Sequence, residues 1–210
     1  MKYLLVTILV FISLTATVFA GQKAISDTGE EVILNSDGTW EYVNNGKKAI
    51  DKIKTNKNKF TKSTDASFQL KSTKNNSTIW INTDKWSFKK PKEEGVTEYT
   101  FQLKGKDVYA MVITEGVEFD MEALTDIALT NARGVAPDIK IIAKEYRNVN
   151  DRKIIYMQMN GTIQGGKFTY VGYYHSNASG STQFVAYTSQ KFVEKYHSDI
   201  FEFLNGLYIR

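Results

Sequence analysis

Four β-prone segments follow one another between Asp138 and Ser189 with only tight turns between them: "DIKIIAKEYRNV", "RKIIYMQMNGTIQ", "GKFTYVGYYHSN" and "STQFVAYTS". The breaks are Asn150-Asp151, Gly165-Gly166 and Ala178-Ser179-Gly180, residue types that turn a chain at little steric cost. Parallel neighbours need a crossover of about a dozen residues or more. None of these gaps is long enough, so the stretch closes as an antiparallel meander, and the core must be built around that sheet.

The preceding residues add to it. "ASFQLKS" and "STIWIN" alternate apolar and polar positions, as half-buried strands do. "TEYTFQLKGKDVYAMVITEG" reads as a hairpin turning at Gly105-Lys106, with Tyr99, Phe101 and Leu103 on one face of its first arm. Its second arm is apolar on both faces, Val108, Ala110 and Val112 against Tyr109, Met111 and Ile113, which predicts a central strand buried on both sides. Two helices are expected. In "DMEALTDIALTNARG", Met121, Leu124, Ala128 and Ala132 recur at helical spacing, with Asp120 as N-cap and Gly134 as stop. In "SQKFVEKYHSDIFEFLNGLYIR", Phe192, Val193, Tyr196, Ile200, Phe203, Leu204 and Leu207 form a wide stripe that should lie on the sheet, with Gly206 as stop. Strands in runs with few helices predict an α+β class for residues 66–210.

The first residues, "MKYLLVTILVFISLTATVFA", have one lysine, an apolar run and small residues at Val18 and Ala20. This is the pattern of a secretory signal peptide, 1–20, cut after Ala20. Gly21 stands where a lipoprotein would need cysteine, and the chain has no cysteine at all, so a disulfide framework is excluded. The expected location is the periplasm or the medium, with no membrane span left after cleavage. Residues 21–45 contain "EEVILNSDGTWEYV", in which Asp37-Gly38 separates two β-prone runs and predicts an N-terminal β-hairpin. Residues 46–65 are lysine-rich and poor in apolar side chains, the composition of a solvated linker. The net charge of +4 is too small for a dense nucleic-acid-binding stripe.

Two resemblances rest on particular residues. Val32, Leu34 and Asp37-Gly38-Thr39-Trp40 resemble a short motif near the N-terminus of many exported bacterial proteins, which implies location more than activity. Residues 66–207 resemble the PsbP-like family, named after an extrinsic subunit of the photosynthetic oxygen-evolving complex. The markers are Trp86, "NARGVAPD" after the first helix, Gly172-Tyr173-Tyr174, Gln183, Tyr187-Thr188 and the closing pattern Y-T-S-x-x-F-x-x-x-Y-x-x-x-I-x-x-F-L. The resemblance implies an α/β/α sandwich with a central antiparallel sheet and two main helices. It implies no catalytic residues, since the family consists largely of binding and assembly factors.

Candidate binding residues come from the aromatic run around the turn at Ser179. Tyr170, Tyr173, Tyr174 and Tyr187 would line a cleft if their faces were open, with Trp40 of the hairpin as a further contact. Phe168, Tyr170 and Tyr174 share one face by parity, and Val171 and Tyr173 the other. No catalytic set emerges: the only histidines are His175 and His197, and no G-x-S-x-G elbow is present. No metal or cofactor is expected. The favoured expectation is an exported, non-catalytic module binding a protein or small molecule of the cell envelope. Two alternatives stand beside it. One is a secreted hydrolase using the carboxylates Glu115, Glu118, Asp120 and Glu122. The other is a surface protein resting on anionic envelope polymer through Lys47 to Lys62.

Overall fold

A computed structural model describes residues 22–25, 31–42, 53–92 and 95–210. The expected signal peptide, 1–20, and Lys47 and Lys48 lie outside them. The chain divides into two compact units, 1–51 and 52–210.

The first unit is a three-stranded antiparallel sheet in the order β1 (Gln22–Ile25), β2 (Glu31–Leu34), β3 (Trp40–Tyr42). The expected hairpin is its second half, and one strand joins it from before. Gly38 takes φ +82°, the conformation the turn needs. The Asp37 carboxylate accepts the Thr39 N–H at 2.9 Å and its hydroxyl at 2.6 Å, closing the loop.

The second unit contains, in chain order, β4 (Lys54–Phe60), β5 (Phe68–Lys71), β6 (Ser77–Ile81), β7 (Trp86–Lys89), β8 (Thr97–Leu103) and β9 (Val108–Glu115). There follow α1 (Met121–Val135), β10 (Lys140–Val149), β11 (Arg152–Ile163), β12 (Gly166–Asn177), β13 (Gly180–Ser189), α2 (His197–Leu204) and β14 (Leu207–Ile209). Together they make a mixed α+β fold dominated by sheet. An eight-stranded sheet runs β4-β10-β11-β12-β13-β9-β8-β7, and a separate three-stranded sheet runs β14-β6-β5. The meander β10 to β13 is antiparallel throughout, in the register that its three two-residue turns, Asn150-Asp151, Gln164-Gly165 and Ala178-Ser179, impose, so Gly166 and Gly180 open strands and do not sit in the turns.

Residues 46–65 are not a linker over their whole length. Lys54–Phe60 is an edge strand, paired in parallel with β10. Backbone pairing needs no apolar side chain, and lysines on an edge keep other strands away. Only Phe60 of this strand turns into the core.

Side chains of alternating parity feed two cores. One holds Val108, Ala110, Val112, Ile154, Tyr156, Val171, Tyr173, Phe184 and Ala186 of the large sheet. It is closed by Ile200, Phe203 and Leu204 of α2 together with Leu70, Ile79, Ile81, Leu207 and Ile209 of the small sheet. The other holds Ile155, Met157, Met159, Tyr174 and Val185 and is closed by Leu124 and Ala128 of α1. The parity read from the sequence around Tyr170 to Tyr174 is the parity seen. The first core, however, is not closed by a helix alone: the segments "ASFQLKS" and "STIWIN" leave the main sheet and form a second layer over it.

Helix α1 begins where expected but ends later, and the final helix stops before Gly206 as expected but begins much later. Helix α1 starts at Asp120, whose carboxylate accepts the N–H groups of Glu122 (2.8 Å) and Ala123 (3.0 Å). It then runs through Gly134 to Val135 and ends before Pro137, which disfavours helical geometry in Ala136. The long final helix is only His197–Leu204, preceded by a single 3₁₀ turn, Gln190–Phe192. Leu207, expected on the helical stripe, is a fully buried strand residue paired with Ile79. Gly206 forces the change. A Cβ there would lie 2.0 Å from the Trp80 carbonyl oxygen, so the backbones of β6 and residue 206 meet only without a side chain.

Candidate functional site: an open tyrosine row

Helix α1 lies over β11 and β12 and leaves the same face of β13, β9 and β8 partly uncovered. The strand β9 is therefore buried on one side only. Val108, Ala110 and Val112 are at most 1% exposed, whereas Tyr109, Met111 and Ile113 are half-buried. That corrects the expectation of a strand covered on both sides.

The register places Tyr109 of β9 opposite Tyr187 of β13, and Tyr187 opposite Tyr170 of β12. All three rings lie on this half-open face. Tyr109 stacks on Tyr187 with centroids 5.7 Å apart, and Tyr187 on Tyr170 at 5.6 Å. Beside the row is a hollow of about 280 Å³, lined by Ser87, Lys89, Thr100, Gln102, Tyr109 and Tyr187 among others. Burial raises the phenol pKa of Tyr170, and the neighbouring Tyr187 raises it further. Burial and Tyr109 do the same for Tyr187. The two phenols stay protonated at neutral pH and offer a donor and an acceptor each. That chemistry suits stacking and hydrogen bonding, not proton abstraction.

The five residues singled out from the sequence separate. Tyr170 and Tyr187 meet in the row. Tyr173 and Tyr174 do not: they are 0% and 1% exposed and belong to opposite cores, so neither lines a cleft. The Tyr173 hydroxyl donates to Asn205 Oδ1 at 2.8 Å. The Tyr174 ring lies along its own strand over Gly172, where a Cβ would come within 2.9 Å of it. The Gly172-Tyr173-Tyr174 marker is thus a packing device. Trp40 belongs to the first unit, opposite Leu34, and is 54% exposed. The sequence alone marks Tyr109 only as a core position. Its alignment with Tyr187 depends on the pairing of β9 with β13, which no local pattern announces.

The carboxylate run does not converge. Asp120 caps α1, and Glu122 accepts the Tyr146 hydroxyl at 2.7 Å. Burial, then Glu122, pushes the Tyr146 phenol up to about 12. Glu118 is exposed. Among the described residues no three His, Cys, Asp or Glu side chains are grouped to hold a metal, and no helix is long and apolar enough to cross a membrane.

Glu98 is the acidic group that sequence reasoning missed. It is 4% exposed, and its carboxylate accepts the Thr73 N–H (2.6 Å), the Thr73 hydroxyl (2.9 Å) and the Thr114 hydroxyl (2.6 Å). Burial alone would raise its pKa. The hydrogen bonds from Thr114, Thr73 and Ser72 together outweigh burial and hold it below the ordinary range. Strict alternation would place Glu98 outside. A register shift between Thr97 and Tyr99 turns it inward.

No protein-family model matches the chain, and no curated protein does. Among solved structures, a cyanobacterial PsbP from Synechocystis is similar over 69% of this chain and 94% of its own, at 14% identity and a TM-score of 0.47. A Pseudomonas aeruginosa protein of unknown function is similar over 68% of this chain and 96% of its own, at 9% identity and a TM-score of 0.45. A Bacteroides thetaiotaomicron protein is similar over 69% of this chain but 49% of its own, at 7% identity and a TM-score of 0.45. This chain therefore spans about half the length of the Bacteroides protein. The first of these is a PsbP protein, the family whose pattern the sequence resembles. At such identities the likeness concerns the fold alone.

Proposed function

We propose that this chain is an exported, non-catalytic binding or assembly module of the cell envelope, and that its ligand lies on the open tyrosine row. The observation that carries this reading is the continuous stack Tyr109–Tyr187–Tyr170, which runs from β9 and β13, where α1 leaves the face partly uncovered, to Tyr170 of β12 at the margin of the α1-side core. Protonated phenols beside Thr100 and Gln102 supply ring faces and hydrogen-bonding groups together, the usual make-up of a small-ligand surface. In this reading the large sheet with α1 and α2 is the α/β/α sandwich of a PsbP-like domain, and the small sheet is an addition to it. The signal-like N-terminus supports export to the periplasm or medium.

The test is a fragment screen of small molecules and short peptides followed by amide and side-chain NMR shifts. Shifts should concentrate on Thr100, Gln102, Tyr109, Tyr170 and Tyr187, and a Tyr109→Ala/Tyr187→Ala variant should lose them. Fragments that bind with the row unperturbed would overturn the assignment of the surface. Reproducible turnover of a compound by the purified chain would overturn its non-catalytic half.

A further inference from the structure

The small sheet presents a second surface, independent of the tyrosine row. Its inner face feeds the first core through Leu70, Ile79, Leu207 and Ile209. Register puts Gln69 opposite Trp80, and both Lys71 and Tyr208 opposite Thr78, so these side chains share the outer face. There Trp80, Tyr208, Gln69, Thr78, Lys62 and Arg210 line a hollow of about 290 Å³. That is close to the lower end of the range of about 300–1,000 Å³ for small-ligand sites, room for a single ring.

Two features of the hollow point to the same ligand class. The first is ring stacking: Tyr208 is 40% exposed on the outer side of a sheet whose other side is already packed, and Trp80 is half-buried beside it. The second is charge. The Lys62 ammonium sits 4.9 Å from the Trp80 ring centroid and donates to the carbonyls of Ser63 and Ala66 at 3.0 Å each. An ammonium has three donors, so one remains. Arg210 lines the hollow as well, and exposed Lys71 stands on the same face. Among the described residues no carboxylate pairs with Lys62, Lys71 or Arg210. An aromatic platform flanked by unneutralised cations is complementary to a ring that carries an anionic group.

The approach to the hollow selects between sources of such a ring. Lys54 and Lys57 are exposed along the edge strand β4, with Lys59 beside Asp151 at 3.9 Å, and the strand runs directly into the segment bearing Lys62. A single small acid would have no use for this track, whereas a polymer with one acid group per ring would. We infer that the outer face of the small sheet binds an acidic polysaccharide, one sugar ring stacking on Trp80 and Tyr208 with its carboxylate at Lys62 and Arg210.

Calorimetric titration of the purified chain tests this with three probes: a uronic-acid oligosaccharide, a neutral oligosaccharide of the same ring and length, and benzoate. The uronic oligomer should bind saturably, with an affinity that falls as salt rises, and neither other probe should match it. Tyr208→Ala, on the exposed face, should weaken binding about tenfold, the scale of one lost stacking contact. Lys62→Gln should weaken it and flatten its salt dependence. The Tyr109→Ala/Tyr187→Ala variant should leave it unchanged, which separates this site from the tyrosine row. Equal binding of the neutral oligomer, preference for benzoate, or uronic binding unaffected by Tyr208→Ala would each overturn the inference.

Discussion

Tyr173 and Tyr174 are neighbours in sequence and both almost fully buried, yet they lie in different cores on opposite faces of one sheet. Period-two alternation makes this unavoidable once both faces are covered at β12. It also explains why two of the residues that look most like a binding surface are structural.

The two phenols should respond differently to substitution. Tyr173→Phe removes the hydrogen bond to Asn205 Oδ1 and leaves that acceptor short of a donor, at a cost of about 1–3 kcal/mol. Tyr174→Ala empties a space in the α1-side core at about 3–5 kcal/mol, as large aromatic truncations do. Urea unfolding of each variant measures both. Neither should alter fragment binding on the tyrosine row.

Arg147 fills a box of rings. Its guanidinium lies 3.6 Å from the Tyr156 ring centroid, 4.6 Å from Phe60 and 5.1 Å from Phe201, and its Nε donates to Glu145 Oε1 at 2.6 Å. The side chain is 10% exposed and that of Glu145 25%. Arg147→Ala should destabilise by about 3 kcal/mol, because it leaves the Glu145 carboxylate with no cation and only the Asn56 Nδ2 hydrogen bond (3.0 Å), and a void among the rings. Arg147→Lys should recover only part of this, since an ammonium cannot match a planar guanidinium that stacks and donates at once. A lysine variant as stable as the parent in thermal unfolding would show that charge alone suffices.

Acidification should weaken the fold in two stages. Burial holds the His175 pKa below its ordinary 6.5, helped by nearby Arg152 and opposed by the bond to the Lys153 carbonyl. The unfolded chain therefore takes up a proton first, and stability falls as pH drops below about 6.5 toward the folded-state value. Glu98 acts lower on the scale. Its folded-state pKa lies below 4.5, so its contribution is complete above that pH and is lost as pH falls through the depressed value. Unfolding free energy measured against pH should lose its upper slope in His175→Asn and its lower slope in Glu98→Gln. An unchanged upper slope in His175→Asn would assign it to another group.

Glycine substitutions should split in sign. Gly206→Ala drives a methyl into the Trp80 carbonyl and should cost on the order of 3 kcal/mol or more. Gly134 sits in the last turn of α1 with nothing within 4 Å of an added Cβ. Gly134→Ala should stabilise by about 0.4–1 kcal/mol through the entropy of the unfolded chain. Thermal unfolding midpoints should move in opposite directions.

Local patterns carried a good deal of this molecule. The tight turns between β10 and β13 demanded an antiparallel meander. Parity assigned Val171 and Tyr173 to one face and Tyr170 and Tyr174 to the other, and Asp120 announced the start of α1 through its capping chemistry. These features depend on residues a few positions apart, so a single chain displays them. What the chain could not display was decided over long range. The pairing of β9 with β13 aligned Tyr109 with Tyr187, and the bulge at Glu98 inverted that residue's facing. The meeting of Gly206 with the Trp80 carbonyl turned the end of a helical stripe into a strand, and the landing of α1 on β11 and β12 left Tyr109 and Tyr187 of the row partly uncovered. Alternation states which side chains share a face, but burial is set by what arrives over that face from elsewhere in the chain.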